Sequence, residues 1–256
     1  MTKFRQELRQ CPYCLNEEKT TVWELIDPNE DPDLRELLLR KELQVFTCSN
    51  CGRTFRMVEP LTYIDRKLGF AAYFSPNLQS LFKQGYLRDF NILPDEMLSD
   101  VPLHLRQNEA GWRLRLCPDM NSLLEKIHIF TAGLDDRLME VVKLALAARL
   151  LSDEGKRVEM LRFLACNNQE MLFIAQYAPA ETENSLDVSA ASDDSSDGAT
   201  AEGTKAEGGK TEELTVAREL YVNTERLLGN SLGEDRHWSI IDRGFALRLV
   251  APDKNH

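Results

Sequence analysis

Four cysteines in two C-x-x-C pairs constrain this chain more than any other feature of its sequence. The first pair lies in CPYC and the second in CSNCG. A two-residue spacer lets one tight turn direct both sulfurs to a single point, and two such turns supply the tetrahedral thiolate set of a closed zinc site. Gly52 follows the second pair and can adopt the positive φ that such a turn often needs. The sequence therefore predicts a structural Zn²⁺ with four ligands, namely Cys11, Cys14, Cys48 and Cys51.

Two other interpretations of these cysteines remain open at this point. CPYC is also the active-site motif of glutaredoxins, in which the first thiolate sits at a helix N-terminus. That site needs a strand before the motif and a helix after it, whereas only ten residues precede Cys11 and the polar LNEEKT follows Cys14. Structural disulfides would imply an oxidising compartment, and the N-terminus lacks the apolar segment of a secretory signal. These contexts favour zinc over a redox site or disulfides.

The distance between the pairs predicts a folded insert. The gap of 33 residues is longer than the 15–20 residues that usually separate such pairs. Residues 20–27 (TTVWELID) and 44–48 (QVFTC) have the composition of strands. Between them, Asp31 as N-cap and Pro32 at the first helical position predict a short helix over 33–40. The first part of the chain is therefore expected to be a zinc-ribbon-like β unit with a helical insert.

Hydrophobic periodicity predicts further strands and helices along the chain. Alternation predicts strands over 53–60 and 112–117, and residues 61–74 predict a hairpin that turns at 65–69. The predicted helices cover 77–87, 134–151 and 219–228, and a capping box formed by Ser122 and Glu125 predicts a helix from 122 to about 130. A second hairpin is expected over 157–177, whereas the type of the apolar closing element at 238–250 is left unassigned.

Composition and charge restrict the class of protein. A hydrophobic fraction of 43% with 29% charged residues is typical of globular proteins. Most of the net charge of −11 lies in 179–213, which contains ten Asp or Glu and two Lys and little that can be buried, so it is expected to be disordered. The rest is close to neutral, without the basic excess typical of nucleic-acid binding. No apolar run reaches membrane-spanning length, and paired cysteines that are expected to be reduced predict a cytoplasmic protein.

Several stretches together resemble the CpXC family, bacterial and archaeal proteins named for their paired cysteine motifs. They are CPYC, IDPNEDPDLRELLLRKELQVFTCSNCGRTF, PLTYIDRKLGFAAYF and MNSLLEKIHIFTAGLDDRLMEVVKLAL. The resemblance covers about residues 10–150 and implies a zinc-binding domain, with no catalytic residues to carry over. CSNCG lacks the proline that follows the first cysteine of CPYC, but its sulfur spacing is the same.

The expected fold class is α+β, with the zinc-ribbon-like β unit followed by helices and a C-terminal α/β part. The domain prediction assigns 1–130 to a CpXC zinc-ribbon-like domain, 131–178 to a helix plus a β-hairpin, 179–213 to a disordered acidic insertion, and 214–256 to a C-terminal helix and closing element. The expected function is that of a non-enzymatic structural or adaptor protein that binds zinc and a protein partner in the bacterial cytosol, away from membranes. A site with four cysteine ligands leaves zinc no open position for water.

Two further sequence features have both a functional and a structural explanation. The adjacent Asp135 and Asp136 resemble an acid–base pair, but neighbouring side chains at a helix start diverge by about 100°, and both carboxylates suit the helix dipole. The hairpin region 53–74 interleaves basic and aromatic residues, which favours a nucleic-acid-associated module as the alternative function. The residues concerned are Arg53, Phe55, Arg56, Tyr63, Arg66, Lys67, Phe70 and Tyr73. A sheet with one solvated face explains the same pattern and is preferred.

Overall fold

The structure, a computed structural model, describes residues 2–78, 112–179, 210–235 and 237–251. The strands are β1 Lys3–Gln10, β2 Glu17–Ile26, β3 Val45–Thr47, β4 Thr54–Arg56, β5 Leu61–Asp65, β6 Phe70–Phe74, β7 Arg113–Cys117, β8 Val158–Cys166, β9 Glu170–Tyr177 and β10 Thr211–Ala217. The helices are α1 Pro32–Leu39, α2 Met120–Thr131, α3 Asp136–Glu154, α4 Glu219–Leu228 and α5 Arg243–Val250. A short 3₁₀ turn, Gly229–Ser231, follows α4. This mixture of sheets and helices confirms the predicted α+β class.

The first sheet has five strands in the order β1-β2-β5-β6-β7. Strands β1 and β2 pair antiparallel, as do β5 and β6, and the latter pair is the hairpin predicted over 61–74. Parallel pairing joins β2 to β5 and β6 to β7. Both β5 and β6 are buried along their whole length. Strands covered on both faces carry nearly continuous apolar sequence, and FAAYF of β6 is an example.

Each face of the first sheet packs against a different part of the chain. One face contacts α1 and α2, and its core includes Leu38, Tyr63, Phe70 and Ile127. The other face carries alternate residues of the same strands together with Trp238 and Ile240, which return from the C-terminal part of the chain. A bridge between Arg115 and Ser239 places this returning segment beside β7. The closing element of unassigned type is therefore an extended segment followed by α5.

The second sheet has the order β10-β9-β8. Strands β8 and β9 form the hairpin predicted over 157–177. The acidic insertion was predicted to reach residue 213, but this limit is wrong because 211–213 belong to β10, which pairs antiparallel with β9. Leu214, Thr215 and Val216 supply the β-branched and apolar side chains that favour this strand. Residues 180–209 of the predicted insertion lie outside the described residues.

The capping box predicted for α2 is wrong, because the helix begins earlier. Asp119 is the N-cap, and its carboxylate accepts bonds from the backbone N–H of Ser122 at 2.9 Å and from the Ser122 hydroxyl at 2.7 Å. Glu125 is buried and accepts a bond from the backbone N–H of Phe163 instead. An aspartate three residues ahead of a serine competes with that serine for the capping position. The helix predicted over 77–87 falls mostly on residues outside those described.

The other predicted helices are present with small changes in their limits. Helix α3 spans 19 residues, and Asp135 is its N-cap, with its carboxylate accepting from the backbone N–H of Arg137. Helix α4 covers the predicted residues and ends at Gly229. Helix α1 has Asp31 and Pro32 where they were expected, although the Asp31 side chain makes no capping bond. None of the helices in the described part of the chain is long and apolar enough to cross a membrane.

Candidate metal centre

Both C-x-x-C pairs lie in turns of hairpins, and the two turns share one backbone pattern. The first turn connects β1 to β2, and the second connects β3 to β4. In each turn the first cysteine donates its N–H to a carbonyl five residues later and accepts from an N–H four residues later. These bonds, between 2.8 and 3.0 Å, join Cys11 to Asn16, Leu15 to Cys11, Cys48 to Arg53 and Gly52 to Cys48. The repeated pattern directs both pairs of sulfurs in the same way.

The two turns require a residue with positive φ at the same place. Gly52 has φ of 68°, which confirms the expectation from the sequence, and Leu15 occupies the matching position of the first turn with φ of 60°. Residues other than glycine and asparagine rarely adopt this backbone conformation. The first turn therefore holds Leu15 in a strained backbone conformation that the second turn avoids.

The structure brings the four predicted sulfurs into one cluster. They all lie within 4.8 Å of one another. The Sγ atoms of Cys11 and Cys51 are 3.8 Å apart, and those of Cys14 and Cys48 are 3.6 Å apart. A tetrahedron with Zn–S bonds of about 2.3 Å has sulfur–sulfur edges of about 3.8 Å. The arrangement therefore has the size and donor set that a single thiolate-bound metal ion requires.

The same geometry decides against the two other interpretations of the cysteines. A disulfide needs sulfurs about 2.05 Å apart, and all six cysteines of the chain are free thiols. A glutaredoxin-like site needs its first cysteine at the start of a helix, but Cys11 lies in a turn between two strands. The glutaredoxin-like interpretation of CPYC is contradicted by this placement.

Burial and hydrogen bonding differ among the four thiols. Cys11 and Cys48 are buried, Cys14 is half-buried and Cys51 is exposed. The backbone N–H of Asn16 and the side-chain amide of Asn50 donate to Cys14 and, with the neighbouring thiols of Cys48 and Cys51, lower the pKa of its thiol to about 6. N–H donors of this kind favour the thiolate, which is the form that binds a metal. The turns thus supply part of the stabilisation that closely spaced thiolates need.

The two turns also contact each other through side chains outside the sulfur cluster. The Arg53 guanidinium lies 5.1 Å from the centre of the Tyr13 ring, a cation–π contact between the second turn and the first. The Glu18 carboxylate accepts a bond of 3.3 Å from the backbone N–H of Ser49. These contacts hold the two hairpins in the orientation that brings the sulfurs together.

The hairpin region proposed for nucleic-acid stacking does not present its rings to solvent. Tyr63, Phe70 and Tyr73 are buried in the cores on the two faces of the first sheet. Phe55 is half-buried and packs against Phe46, with the ring centres 6.0 Å apart. The expectation of a stacking platform made by these rings is wrong. The preferred interpretation, a sheet with one solvated face, is also wrong for β5 and β6, because both faces of the sheet are covered.

Outside the cysteine cluster, the structure contains a buried chain of charged residues that sequence reasoning missed. Arg115 and Asp136 are both fully buried, and the guanidinium donates two bonds of 2.7 Å to the carboxylate. Arg115 donates two more, of 2.8 and 2.6 Å, to Asp235. Lys126 lies 3.1 Å from Asp136 and donates to the carbonyl of Ile241 at 2.6 Å. This chain of charges joins β7, α2, α3 and the C-terminal segment.

The chain of charges continues toward β8. Glu140 accepts from Lys126 at 3.3 Å and from Lys143 at 2.9 Å, and Lys143 also donates to Glu125 at 3.0 Å. Glu125 reaches the backbone N–H of Phe163 in β8 at 2.8 Å. Burial raises the pKa of the Glu125 carboxyl, although Lys143 opposes the rise. Positive and negative side chains alternate along this whole series of buried charged residues, so each buried charge has a partner of opposite sign.

The part of this network formed by Glu125, Lys126, Glu140 and Lys143 lines a cleft of about 470 Å³ between α2, α3, β8 and the start of α5. Asp119 and Asp242 lie on its wall, but each is occupied as the N-cap of a helix. The pair Asp135 and Asp136 does not converge on one point, because Asp135 faces Arg137 and Asp136 faces Arg115. The structural interpretation of that pair agrees with this arrangement, although no local pattern reveals the buried partners of Asp136.

Comparison with known proteins agrees with the cysteine cluster. The model of the CpXC family, described as CpXC protein, matches residues 10–143, which is just over half of the chain and includes all four clustered cysteines. No curated protein and no solved structure matches the chain. A family match over this length, together with four thiols placed to hold a metal ion, identifies a metal-binding protein. The chain belongs to the CpXC family.

Proposed function

We propose that this protein is a zinc-binding adaptor of the cytosol, in which a structural Zn²⁺ fixes a surface that binds a protein partner. The observation that carries the proposal is the cluster of four cysteine sulfurs with separations that suit tetrahedral zinc. Thiolate ligands in this geometry are typical of zinc sites. A site of this kind is closed, so the metal acts on the fold and not on a substrate, and we propose no enzymatic activity.

The proposed structural role follows from the small size of the second hairpin. Strands β3 and β4 are three residues long and form a two-stranded sheet of their own. An isolated hairpin of this size is at best marginally stable in water. A zinc ion bound by Cys48 and Cys51 on this hairpin and by Cys11 and Cys14 on the first would join the two, and binding energy of this kind contributes directly to folding.

The proposed partner surface lies on the tip of the first turn. Tyr13 is 52% exposed and Leu15 is 66% exposed, although both are large apolar side chains. Arg53 lies beside Tyr13, with which it makes the cation–π contact. Tyrosine and arginine are enriched in protein interfaces, and here a tyrosine, a leucine and an arginine belong to the two cysteine turns. Zinc binding fixes the backbone under these side chains, so the metal and the surface are coupled.

The experiment compares capture of proteins from source cells by the wild type and by two variants. The double variant Tyr13→Ser, Leu15→Ser removes the proposed contact surface and leaves the cysteines in place. Leu151→Ser is the matched control, because Leu151 is a similarly exposed apolar residue on α3, away from the metal site. We expect the wild type and Leu151→Ser to capture the same protein, and the double variant to lose it while it keeps its metal.

Two results would contradict this function. If all three proteins capture the partner equally, the surface of the first turn does not bind it. Oligonucleotide binding at low salt that weakens steeply as salt rises would instead support the nucleic-acid alternative, since phosphate contacts release counterions. The exposed cations Arg53, Arg56, Arg66 and Lys67 remain available for such contacts, but the buried rings do not.

A further inference from the structure

Strand β1 lies at an edge of the first sheet, with β2 on one side and no strand of the described residues on the other. Its eight residues, KFRQELRQ, present backbone N–H and C=O groups along this open edge. Edge strands of this length are templates for pairing with another strand. The question is which strand the side chains of β1 suit.

The two faces of β1 differ in character. The face with odd residue numbers is half-buried and charged, and there Arg5 bonds to Glu24 and Glu59. The face with even residue numbers is exposed and carries Phe4, which is 56% exposed, and Leu8, which is 65% exposed. Trp23 of β2 continues the apolar surface beside Phe4, with ring centres 5.3 Å apart. A partner strand must therefore be apolar on one face and charged on the other.

The sequence of β1 meets both requirements when it pairs with itself. In an antiparallel pair with Gln6 opposite Gln6 of the second copy, Phe4 lies opposite Leu8 and Arg5 lies opposite Glu7. Each contact occurs twice, because a two-fold axis relates the copies. Apolar pairs and pairs of opposite charge directly across a strand pair are each stabilising. Charges on edge strands usually prevent pairing, but here their order makes them complementary.

The neighbouring registers are less favourable, because each places two like charges opposite each other at the two-fold axis. When a two-fold axis relates two antiparallel strands in one sheet, the apolar faces of both copies lie on the same side of that sheet. An even-numbered residue must then lie opposite an even-numbered residue, and this limits the possible registers. A register centred on Arg5 places arginine opposite arginine, and one centred on Glu7 places glutamate opposite glutamate. Like charges directly across a strand pair are destabilising. The bulge at Lys3 and Phe4 lies at the end of this stretch and leaves its centre regular.

We propose that a second copy of this chain binds at the open edge of β1, antiparallel and centred on Gln6, so that the first sheets of two molecules form one continuous sheet. Lys3 then lies opposite Arg9, whose charge is balanced by Glu7 and Glu59. The apolar surfaces of Phe4, Leu8 and Trp23 from both copies lie on the same side of that sheet and extend one another across the axis.

The main test mixes two charge variants of the full chain. Arg5→Glu places acidic groups opposite each other in its homodimer, and Glu7→Arg places basic groups opposite each other. In a heterodimer of the two variants, every acidic group faces a basic one. By sedimentation we expect each variant alone to show a dimer dissociation constant at least about tenfold above the wild type, and the equimolar mixture to recover dimers. Lys67→Glu, with the same charge change at an exposed turn, is the control and is expected to dimerise as the wild type does.

A wild type that stays monomeric at all concentrations, or a mixture that associates no better than its components, would overturn the proposal. Arg5 also bonds within the molecule, so Arg5→Glu can fail to fold. In that case a second measurement tests the proposal. Gln6→Cys is expected to form a disulfide-linked dimer under mild oxidation with zinc present, since residue 6 faces itself across the axis. Leu8→Cys is the control: its two copies lie about 14 Å apart along the strands, beyond disulfide reach. Equal cross-linking of both variants, or none of Gln6→Cys, would contradict the register.

Discussion

Leu15 and Gly52 occupy the same position in the two cysteine turns, and both have positive φ. For a leucine this conformation costs about 1–2 kcal/mol relative to glycine. We therefore expect Gly52→Leu to lower the free energy of unfolding by about 1–2 kcal/mol. Leu15→Gly removes the strain and is expected to be neutral or slightly stabilising, since the added freedom of glycine in the unfolded chain offsets part of the gain.

Chemical denaturation of the zinc-loaded proteins measures the free energy of unfolding of both variants. The space around Gly52 is open, so the result for Gly52→Leu has a simple interpretation. A Cβ atom at Gly52 would contact no other heavy atom within 4 Å, so a loss of stability there reports the backbone and not a clash. Equal losses in Gly52→Leu and Leu15→Gly would show that the side chain of Leu15, and not the turn conformation, matters to the fold.

Asp136 is the centre of the buried chain of charges, because it contacts both Arg115 and Lys126. Replacing one member of a buried ion pair leaves the other uncompensated, which typically costs about 3–5 kcal/mol. We expect a loss of this size for Asp136→Asn in the free energy of unfolding. Asp153→Asn is the matched control on the same helix, because Asp153 is exposed and its removal is expected to change stability little.

The same carboxylate predicts a dependence on pH. Its burial opposes ionisation, but Arg115 and Lys126 outweigh burial and hold the pKa of Asp136 well below its usual range. A group whose pKa is lowered on folding contributes stability that is complete above its unfolded pKa, which is about 3.9 for aspartate. The advantage of the wild type over Asp136→Asn is therefore expected to persist above about pH 4 and to shrink as the pH falls below it. An advantage that is the same at pH 3 and pH 7 would contradict this assignment.

Among the elements, the start of α2 offers a direct test of a corrected assignment. Asp119 satisfies the backbone N–H of Ser122, so Asp119→Ala is expected to lower the free energy of unfolding by about 1 kcal/mol. Ser122→Ala removes only a hydroxyl that bonds to Asp119 and is expected to cost less. Thermal or chemical unfolding of the two variants compares them. A larger loss in Ser122→Ala would restore the capping box that the sequence predicted.

The local sequence pattern was sufficient to predict the elements in which the burial of side chains alternates regularly. The β8–β9 hairpin alternates buried and half-buried residues, and the turn at 65–69 joins two strands as predicted. The spacing of Cys11, Cys14, Cys48 and Cys51 was sufficient to predict one cluster, because each pair needs only a local turn to converge. The hairpins and each cysteine turn depend on neighbours in the sequence, whereas the meeting of the two turns follows from the four ligands that one metal ion requires.

Features that depend on distant partners were not predictable. Arg115 alternates with apolar residues in β7, a pattern typical of a strand with one solvated face, but Arg115 is fully buried beside α2 and the C-terminal segment. Nothing local reveals that Asp235, far along the chain, returns to bond with it. The burial of Tyr63, Phe70 and Tyr73 has the same cause, since both faces of the sheet are covered by elements remote in the sequence.

For the molecule as a whole, the metal site and the α3 core occupy separate parts of the structure. The core around α3 includes residues of β8, β9 and α4, whereas the cysteine turns connect β1 to β2 and β3 to β4. Cys48→Ser is expected to release the metal and increase hydrogen exchange throughout the two cysteine hairpins. Protection of the amides in α3, Asp136–Glu154, is expected to remain largely unchanged. Loss of protection across the whole molecule would show that zinc supports the entire fold.

The measurement that tests the central claim most directly is X-ray absorption at the zinc edge of the purified protein, with metal content determined on the same sample. The cluster of Cys11, Cys14, Cys48 and Cys51 predicts one zinc per chain with four sulfur neighbours at about 2.3 Å and no nitrogen or oxygen ligand. A protein without stoichiometric zinc, or a zinc site with fewer than four sulfurs, would contradict the account.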